Sequence, residues 1–264
     1  RNVIMKLLKA LVISFSMYSG ILMPQFEWKE EDMKYMLCFF PLVGAVIGLC
    51  LYGWEKLCTG MEINGLCRTL VGTAIPLLLT GGIHVDGYMD TMDAFHSYQS
   101  RERKIEILKD PHIGAFSVIM LAAYGFLYAG GYAQLESLTG IKIIGMGFAL
   151  SRCLSAVGVL SFPCAKKEGL LHLFASNAAK KTVKGILYLE TFLCVAGMIW
   201  QDHIAGSIVV LAAFAAFFYY GLRCKKELGG VTGDTAGFFV LTCDNSSLKA
   251  DRLSCLSMLI LYHF

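Results

Sequence analysis

Three aspartates, Asp86, Asp90 and Asp93, have the residue type and the spacing that most clearly indicate chemistry. They fall at positions i, i+4 and i+7, so a helix would carry all three carboxylates on one face. Like charges at this spacing repel one another, and the chain before them is strongly apolar, so a cation is expected to compensate them. A divalent metal is the simplest such cation, and Mg²⁺ is a hard ion that carboxylate oxygens bind.

A basic segment follows the three aspartates and supplies Arg101, Arg103 and Lys109, with Asp110 at its end. Carboxylates that hold Mg²⁺, beside Arg and Lys side chains that hold phosphate oxygens, form the arrangement that phosphoryl transfer needs. For the basic residues alone, a solvated loop whose charges face water is an equally good interpretation. The acids and the basic segment together predict a phosphate–metal site.

Four further side chains are candidates for the site or for structural roles near it. His84 is a candidate general base or phosphate partner, or a structural hydrogen-bonding residue at the helix start. Arg152 lies in an apolar segment and requires an anionic partner, which is either a carboxylate of the bundle or a bound phosphate. Asp234 lies either in a plain glycine-rich turn or, from its side of the membrane, with the acids of the site. His112, just beyond Asp110, fits a simple turn at least as well.

The composition is that of an integral membrane protein. Of the 264 residues, 56% are hydrophobic and 16% are charged, with a mean hydropathy of +0.60, against about 25% charged residues in soluble domains. The net charge of +3 is small, and the basic residues cluster in short loops, so nothing in the charge pattern indicates a nucleic-acid-binding protein. The ten cysteines form no C-x-x-C pair, so they are interpreted as small apolar residues, not as disulfides or zinc ligands.

The apolar segments predict an all-α, polytopic integral membrane bundle of about six to eight spans, forming a single domain over residues 1–264. A spanning helix needs about 20 apolar residues, and a further stretch near 236–243 is too short to span alone. The basic start, followed by an apolar run without a small-residue cleavage site, is interpreted as a retained first span. The segments of spanning length lie at about 3–23, 36–54, 65–83, 114–138, 141–162, 185–200 and 203–222.

Three polar segments, 84–112, 163–184 and 223–235, are separated from one another by two predicted spans each, so they emerge on the same side of the membrane. They carry most of the basic residues in this part of the chain, and the positive-inside rule therefore places them in the cytoplasm. The N-terminal third conflicts with this orientation, because a cytoplasmic start and three complete spans would leave residue 84 outside. Either an early segment is re-entrant or the N-terminus lies outside.

The motifs resemble those of the cobalamin synthase family, over residues from about 5 to 240. Two features depart from the family pattern: Ala94 stands where many relatives have glycine, and a polar run at 244–252 replaces an apolar span. Asp244 is the candidate for an acidic position of the family in this run. The motifs are Phe-Pro-Leu-Val-Gly at 40–44, Gly-Gly-x-His-x-Asp-Gly-x-x-Asp-Thr-x-Asp at 81–93, Arg-Glu-Arg at 101–103, Lys-Asp-x-x-Ile-Gly at 109–114 and Gly-Gly-x-Thr-Gly-Asp at 229–234.

The resemblance implies a Mg²⁺-dependent enzyme of the cytoplasmic membrane of a bacterium or archaeon, surrounded by membrane lipid and either monomeric or oligomeric. Such an enzyme joins adenosylcobinamide-GDP to α-ribazole, or to its 5′-phosphate, and releases GMP. If the anionic partner of Arg152 is a bound phosphate, Arg152 is a further substrate-binding residue. Carried over by position, the resemblance implicates His84, Asp86, Asp90, Asp93 and Asp234 in catalysis, with Asp86, Asp90 and Asp93 as metal ligands, and Arg101, Arg103, Lys109 and Asp110 in substrate binding.

Two other functions fit parts of the pattern. CDP-alcohol phosphotransferases also place spaced aspartates on membrane helices, but their signature has an Ala-Arg pair after the second Asp-Gly and a later Asp-x-x-x-Asp. Here Asp86-Gly87 is followed by Tyr88-Met89-Asp90, which argues against that family. An ion-coupled transporter could also use intramembrane acids, but the long basic loops and the absence of matched broken spans count against it.

Overall fold

A computed structural model describes residues 2–165 and 180–250, and eleven α-helices build this part of the chain. It contains no β-strand, only an isolated bridge between Cys164 and Val231, which confirms the predicted all-α fold. Most of the second polar segment (166–179) and the tail (251–264) lie outside the described residues. The helices are α1 (Asn2–Tyr18), α2 (Glu30–Met33), α3 (Phe40–Gly60), α4 (Gly65–Thr80), α5 (Ile83–His96), α6 (Arg101–Ile107), α7 (Ala115–Ala133), α8 (Leu138–Ser161), α9 (Lys180–Gln201), α10 (His203–Leu228) and α11 (Gly233–Ala250).

Five of these helices, α3, α7, α8, α9 and α10, are long and apolar enough to cross a membrane, and α4 with α5 makes a sixth candidate as a bent pair. The polytopic helical bundle is therefore confirmed, with a number of spans at or just below the low end of the predicted range. Helix α1, with 17 residues, is not among the candidate spans.

The bend between α4 and α5 is a right-angle break of 93°. It is made by Gly81 and Gly82, whose φ values of +61° and +80° lie in the left-handed region that glycine adopts without steric cost. The amides of both glycines still donate to carbonyls of the last turn of α4, at Leu78 and Leu77, so α4 is closed before α5 begins. Such a break fits either a broken span or a re-entrant segment, so both alternatives left open by the charge pattern stay predictions.

Helix α8 lies at the centre of the bundle, with 94% of its apolar stretch buried. Glycines of α3 allow the two backbones to approach closely. A Cβ atom on Gly44 would lie 2.2 Å from the carbonyl oxygen of Phe148, and one on Gly48 would lie 2.7 Å from Gly145. Small residues at such crossings are the usual means by which membrane helices pack.

Helix α11 continues through the polar run that departs from the family pattern. Its hydroxyl groups bond within the helix: Thr242, Ser246 and Ser247 each donate to the carbonyl oxygen four residues earlier. These bonds offset the cost of burying the three hydroxyl groups, whereas the buried side-chain amide of Asn245 has no hydrogen-bond partner among the described residues. Residues 242–248 are all buried.

Candidate active site

The three aspartates share one face of α5, as their spacing predicts. Asp86 is exposed at one end of this face, and Asp90 and Asp93 are partly buried. We call this face the acidic face. On either side of it, α5 packs against α7 and against α11, which leaves the carboxylates between the starts of two other helices.

Asp93 is bound by the start of α7. The backbone amide of Gly114 donates to its Oδ2 atom at 2.7 Å, and the amide of Ser117 donates to Oδ1 at 2.9 Å. A Cβ atom at position 114 would lie 2.4 Å from Asp93 Oδ1, so glycine is needed there. The carboxylate thus accepts from two amides that a helix start leaves without intrahelical partners. Its negative charge is also stabilised by the positive end of the α7 dipole.

Asp234 lies in the first turn of α11, which crosses α5 closely. A Cβ atom on Gly87 would lie 2.8 Å from the Asp234 carbonyl oxygen, and one on Gly237 would lie 3.1 Å from the His84 carbonyl oxygen. Gly87 directly follows Asp86 in α5. The structure therefore brings the Asp234 backbone beside the acidic face, although 148 positions (234 − 86) separate it from Asp86 in sequence.

The start of α11 is fixed by a reciprocal cap. The amide of Thr235 donates to the Thr232 hydroxyl oxygen at 3.2 Å, and the amide of Thr232 donates to the Thr235 hydroxyl oxygen at 2.8 Å. Just before it, Val231 exchanges backbone hydrogen bonds with the segment 163–165, donating to the Pro163 carbonyl oxygen at 2.8 Å. Asp234 is consequently held on a rigid helix start.

His84 lies on the side of α5 away from the acids. It precedes Asp86 by two positions, which is about 200° around a helix, and only 5% of its surface is exposed. Its ring packs against Phe40 and Tyr18, with centroids 5.6 and 6.2 Å away. Its Nε2 atom is buried without a hydrogen-bond partner among the described residues. The structure does not bring the His84 ring together with the acidic face.

The basic segment forms α6 and docks on the C-terminal end of α10. Lys104, which is buried, pairs with Glu227 at 2.5 Å, and Arg101 donates to the Lys226 carbonyl oxygen at 3.5 Å. Arg103 is exposed and pairs with Glu106 at 2.6 Å, and Lys109 is exposed. Cations at the end of α10 are favourable because that end carries the negative pole of the helix dipole.

The pair of Lys104 and Glu227 was not predicted from the sequence. Its only sequence signal was that Glu227 directly follows two lysines at the end of α10. Such an acid is readily interpreted as part of a solvated charged turn. The partner of Lys104 lies 123 positions away, and only the folded chain shows it.

The anionic partner of Arg152 is Asp244, a residue of the bundle. Its Nη1 atom lies 2.7 Å from Asp244 Oδ2, and the neighbouring Ser151 hydroxyl donates to Oδ1 at 2.6 Å. Of the two alternatives for Arg152, the structure shows the carboxylate of the bundle. Asp244, the candidate acid of the polar run, thereby ties α11 to α8.

The acidic face fits a magnesium ion by the chemistry of its donors. No three His, Cys, Asp or Glu side chains within 2–165 and 180–250 are arranged to hold a metal by themselves, and both oxygens of Asp93 accept from backbone amides. Mg²⁺, however, is usually bound by one or two carboxylates together with substrate phosphates and water. Asp86 and Asp90 supply such carboxylates on one face. The assignment of all three aspartates as ligands stays a prediction.

Comparison with known proteins gives the family. The model of the cobalamin-5-phosphate synthase family matches residues 10–249. A protein of Lachnoclostridium phytofermentans named adenosylcobinamide-GDP ribazoletransferase is 42% identical over 91% of this chain and 92% of its own length. Proteins of the same name from Clostridium botulinum and Pseudomonas syringae are 33% and 32% identical over 88% and 78% of this chain, and over 92% and 83% of their own lengths. No solved structure matches the chain significantly. These matches show that the chain belongs to the cobalamin-5-phosphate synthase family.

Proposed function

We propose that this chain joins adenosylcobinamide-GDP to α-ribazole, or to α-ribazole 5′-phosphate, giving adenosylcobalamin or its phosphate together with GMP. The relatives named for this reaction, at up to 42% identity, support the substrates. The observation that carries the chemistry is the close crossing of α5 and α11, which sets Asp234 beside the acidic face. A diphosphate is the reactive group of the first substrate. Phosphate groups bind at helix N-termini and to metal ions that carboxylates hold.

The positions of the site residues suggest a separate role for each group of them. Asp86 and Asp90 would hold Mg²⁺, which when bound supplies charge neutralisation to a diphosphate. Arg101, in α6, and Lys109, in the following loop, would supply cationic donors for phosphate oxygens. The hydroxyl of the ribazole substrate attacks the phosphorus on the cobinamide side. A new O–P bond forms there while the P–O bond to GMP breaks.

The arrangement of α3 and α4 supports a cytoplasmic site. The Phe40 ring at the start of α3 contacts the His84 ring at the start of α5, so the path through α3 and α4 begins and ends at the same face of the bundle. This path supports a site on the side of the basic loops, the side that the positive-inside rule assigns to the cytoplasm.

The outer surface of the bundle supports a setting in the cytoplasmic membrane. Large apolar side chains of different helices are exposed, among them Phe126 at 80%, Leu211 at 70% and Phe192 at 66%. A soluble protein rarely exposes such a surface over several helices. Membrane lipid is therefore the partner proposed for it.

The function is tested with purified protein in detergent. Adenosylcobinamide-GDP and α-ribazole are supplied with MgCl₂, and the corrinoid product and GMP are identified by mass spectrometry. We expect turnover that stops with EDTA, returns with Mg²⁺ and is lost in Asp86→Ala and Asp90→Ala. Undiminished turnover in EDTA would overturn the metal assignment. Turnover of a CDP-alcohol with none of adenosylcobinamide-GDP would overturn the substrate assignment.

A further inference from the structure

Asp110 and His112 form a hydrogen-bonded acid–histidine pair in the loop between α6 and α7. The Nδ1 atom of His112 lies 2.6 Å from Asp110 Oδ1, and the backbone amide of His112 donates to the same oxygen at 3.0 Å. The side chain of His112 is 89% exposed. Because the ring is held through Nδ1, its second nitrogen, Nε2, is the one available to a ligand.

This pair lies at the rim of the acidic face. Gly114, whose amide donates to Asp93 at 2.7 Å, is two residues beyond His112. Two residues span at most about 7 Å, and the histidine side chain extends the reach of the ring further. The loop therefore places His112 within range of a substrate that occupies the acidic face.

The charges around the pair suit a proton acceptor. The backbone amide and then the ring of His112 hold the pKa of the Asp110 carboxyl below its usual value, with Arg103 adding a smaller effect. Asp110 thus remains a carboxylate as the pH falls, until its lowered pKa is reached. Such a carboxylate fixes the ring tautomer and stabilises the imidazolium that forms when Nε2 takes a proton. The other charged groups nearby are Lys109 and the Asp93 carboxylate bound to Gly114.

The two histidines of α5 are placed differently from His112. His84 is buried on the side of α5 away from the acids. His96 bonds the Met92 carbonyl through Nδ1 at 2.8 Å and stacks on Phe116 with centroids 5.5 Å apart. His112 differs from both because a carboxylate orients its ring at the open edge of the site.

We propose that His112, oriented by Asp110, is the general base that accepts the proton of the attacking hydroxyl. This rests on the proposed function. As the hydroxyl oxygen forms its bond to the cobinamide-side phosphorus, its proton passes to Nε2, and the electron pair of the breaking P–O bond leaves with GMP. The imidazolium then releases the proton to water.

The test uses His112→Ala, His112→Gln and Asp110→Asn in the full chain, with His203→Gln as the matched control. His203 is also exposed, at the start of α10. We expect kcat of both His112 variants to fall about 100-fold, since general bases typically contribute 10²- to 10⁴-fold. KM for adenosylcobinamide-GDP should stay within about twofold of the wild type, and the acid limb of the pH–kcat profile should disappear. The kcat of Asp110→Asn should fall by less than that of the His112 variants, because Asp110 only orients the His112 ring.

Added imidazole should restore part of kcat in His112→Ala but not in His112→Gln, where the side chain fills the space. A purely structural role would show no such rescue and would leave the acid limb in place. Either result, or an unchanged kcat in both His112 variants, would overturn the inference. Absence of turnover in the wild type would instead overturn the proposed function, and this inference with it.

Discussion

Arg152 and Asp244 form an ion pair in the centre of the bundle, with their Nη1 and Oδ2 atoms 2.7 Å apart and side chains only 2% and 4% exposed. The pair joins α8, the most buried helix, to α11, whose first turn carries Asp234. Ser151 completes it by donating to the second carboxylate oxygen. The polar run that departs from the family pattern thus supplies a specific interhelical contact.

Removing one member of this pair should destabilise the fold strongly. Asp244→Ala leaves a buried, uncompensated guanidinium, which costs about 3–5 kcal/mol. We expect a lowered unfolding midpoint in detergent, measured by tryptophan fluorescence during heating. The double variant Arg152→Met with Asp244→Leu should regain most of the stability, because no charge is left without a partner. A single variant as stable as the wild type would contradict this account.

Asp93 should control the order of the α7 start. In Asp93→Ala, the amides of Gly114 and Ser117 lose their acceptor, and bonds to a charged acceptor are worth about 1.5–3 kcal/mol each. Hydrogen exchange followed by mass spectrometry should show faster exchange in the peptide covering 108–120. The control is Asp86→Ala, which leaves these bonds intact. Equal protection of the peptide in both variants would show that Asp93 does not hold α7.

Gly87 should tolerate no side chain. In Gly87→Ala the new Cβ atom would lie 2.8 Å from the Asp234 carbonyl oxygen, so α11 must move away from the acidic face. We expect at least a tenfold loss of kcat, measured in the transferase assay. Gly125→Ala is the matched control, because its Cβ atom would meet nothing within 4 Å. That variant should keep wild-type activity and gain up to about 1 kcal/mol from helix propensity.

Lys104 and Glu227 should behave as a pair that docks α6 on α10. Breaking their 2.5 Å contact by Lys104→Glu places two acids together and should cost about 1–3 kcal/mol. The unfolding midpoint and kcat are expected to fall together. The charge-reversed double variant, Lys104→Glu with Glu227→Lys, should recover at least half of each loss. No recovery in the double variant would mean that the two residues act separately.

Most of what the sequence predicts in this site is local, and the position of Asp234 near the acidic face is the long-range exception. Spacing alone placed Asp86, Asp90 and Asp93 on one helical face, since that depends only on helical periodicity. The same periodicity puts the His84 ring on the side of α5 away from the acids, although the family resemblance implicated His84 in catalysis. The partners of Asp93, Arg152 and Lys104 depend on which helices meet. A single sequence carries no direct signal of that.

The break at Gly81 and Gly82 has an electrostatic consequence. By ending α4 it gives α5 a start of its own, and Asp86 lies in that first turn. Asp93 lies at the start of α7 and Asp234 in the first turn of α11, so three of the four acids each meet the positive pole of a different helix, equivalent to about half a unit charge. The backbone itself therefore offsets part of the site's negative charge.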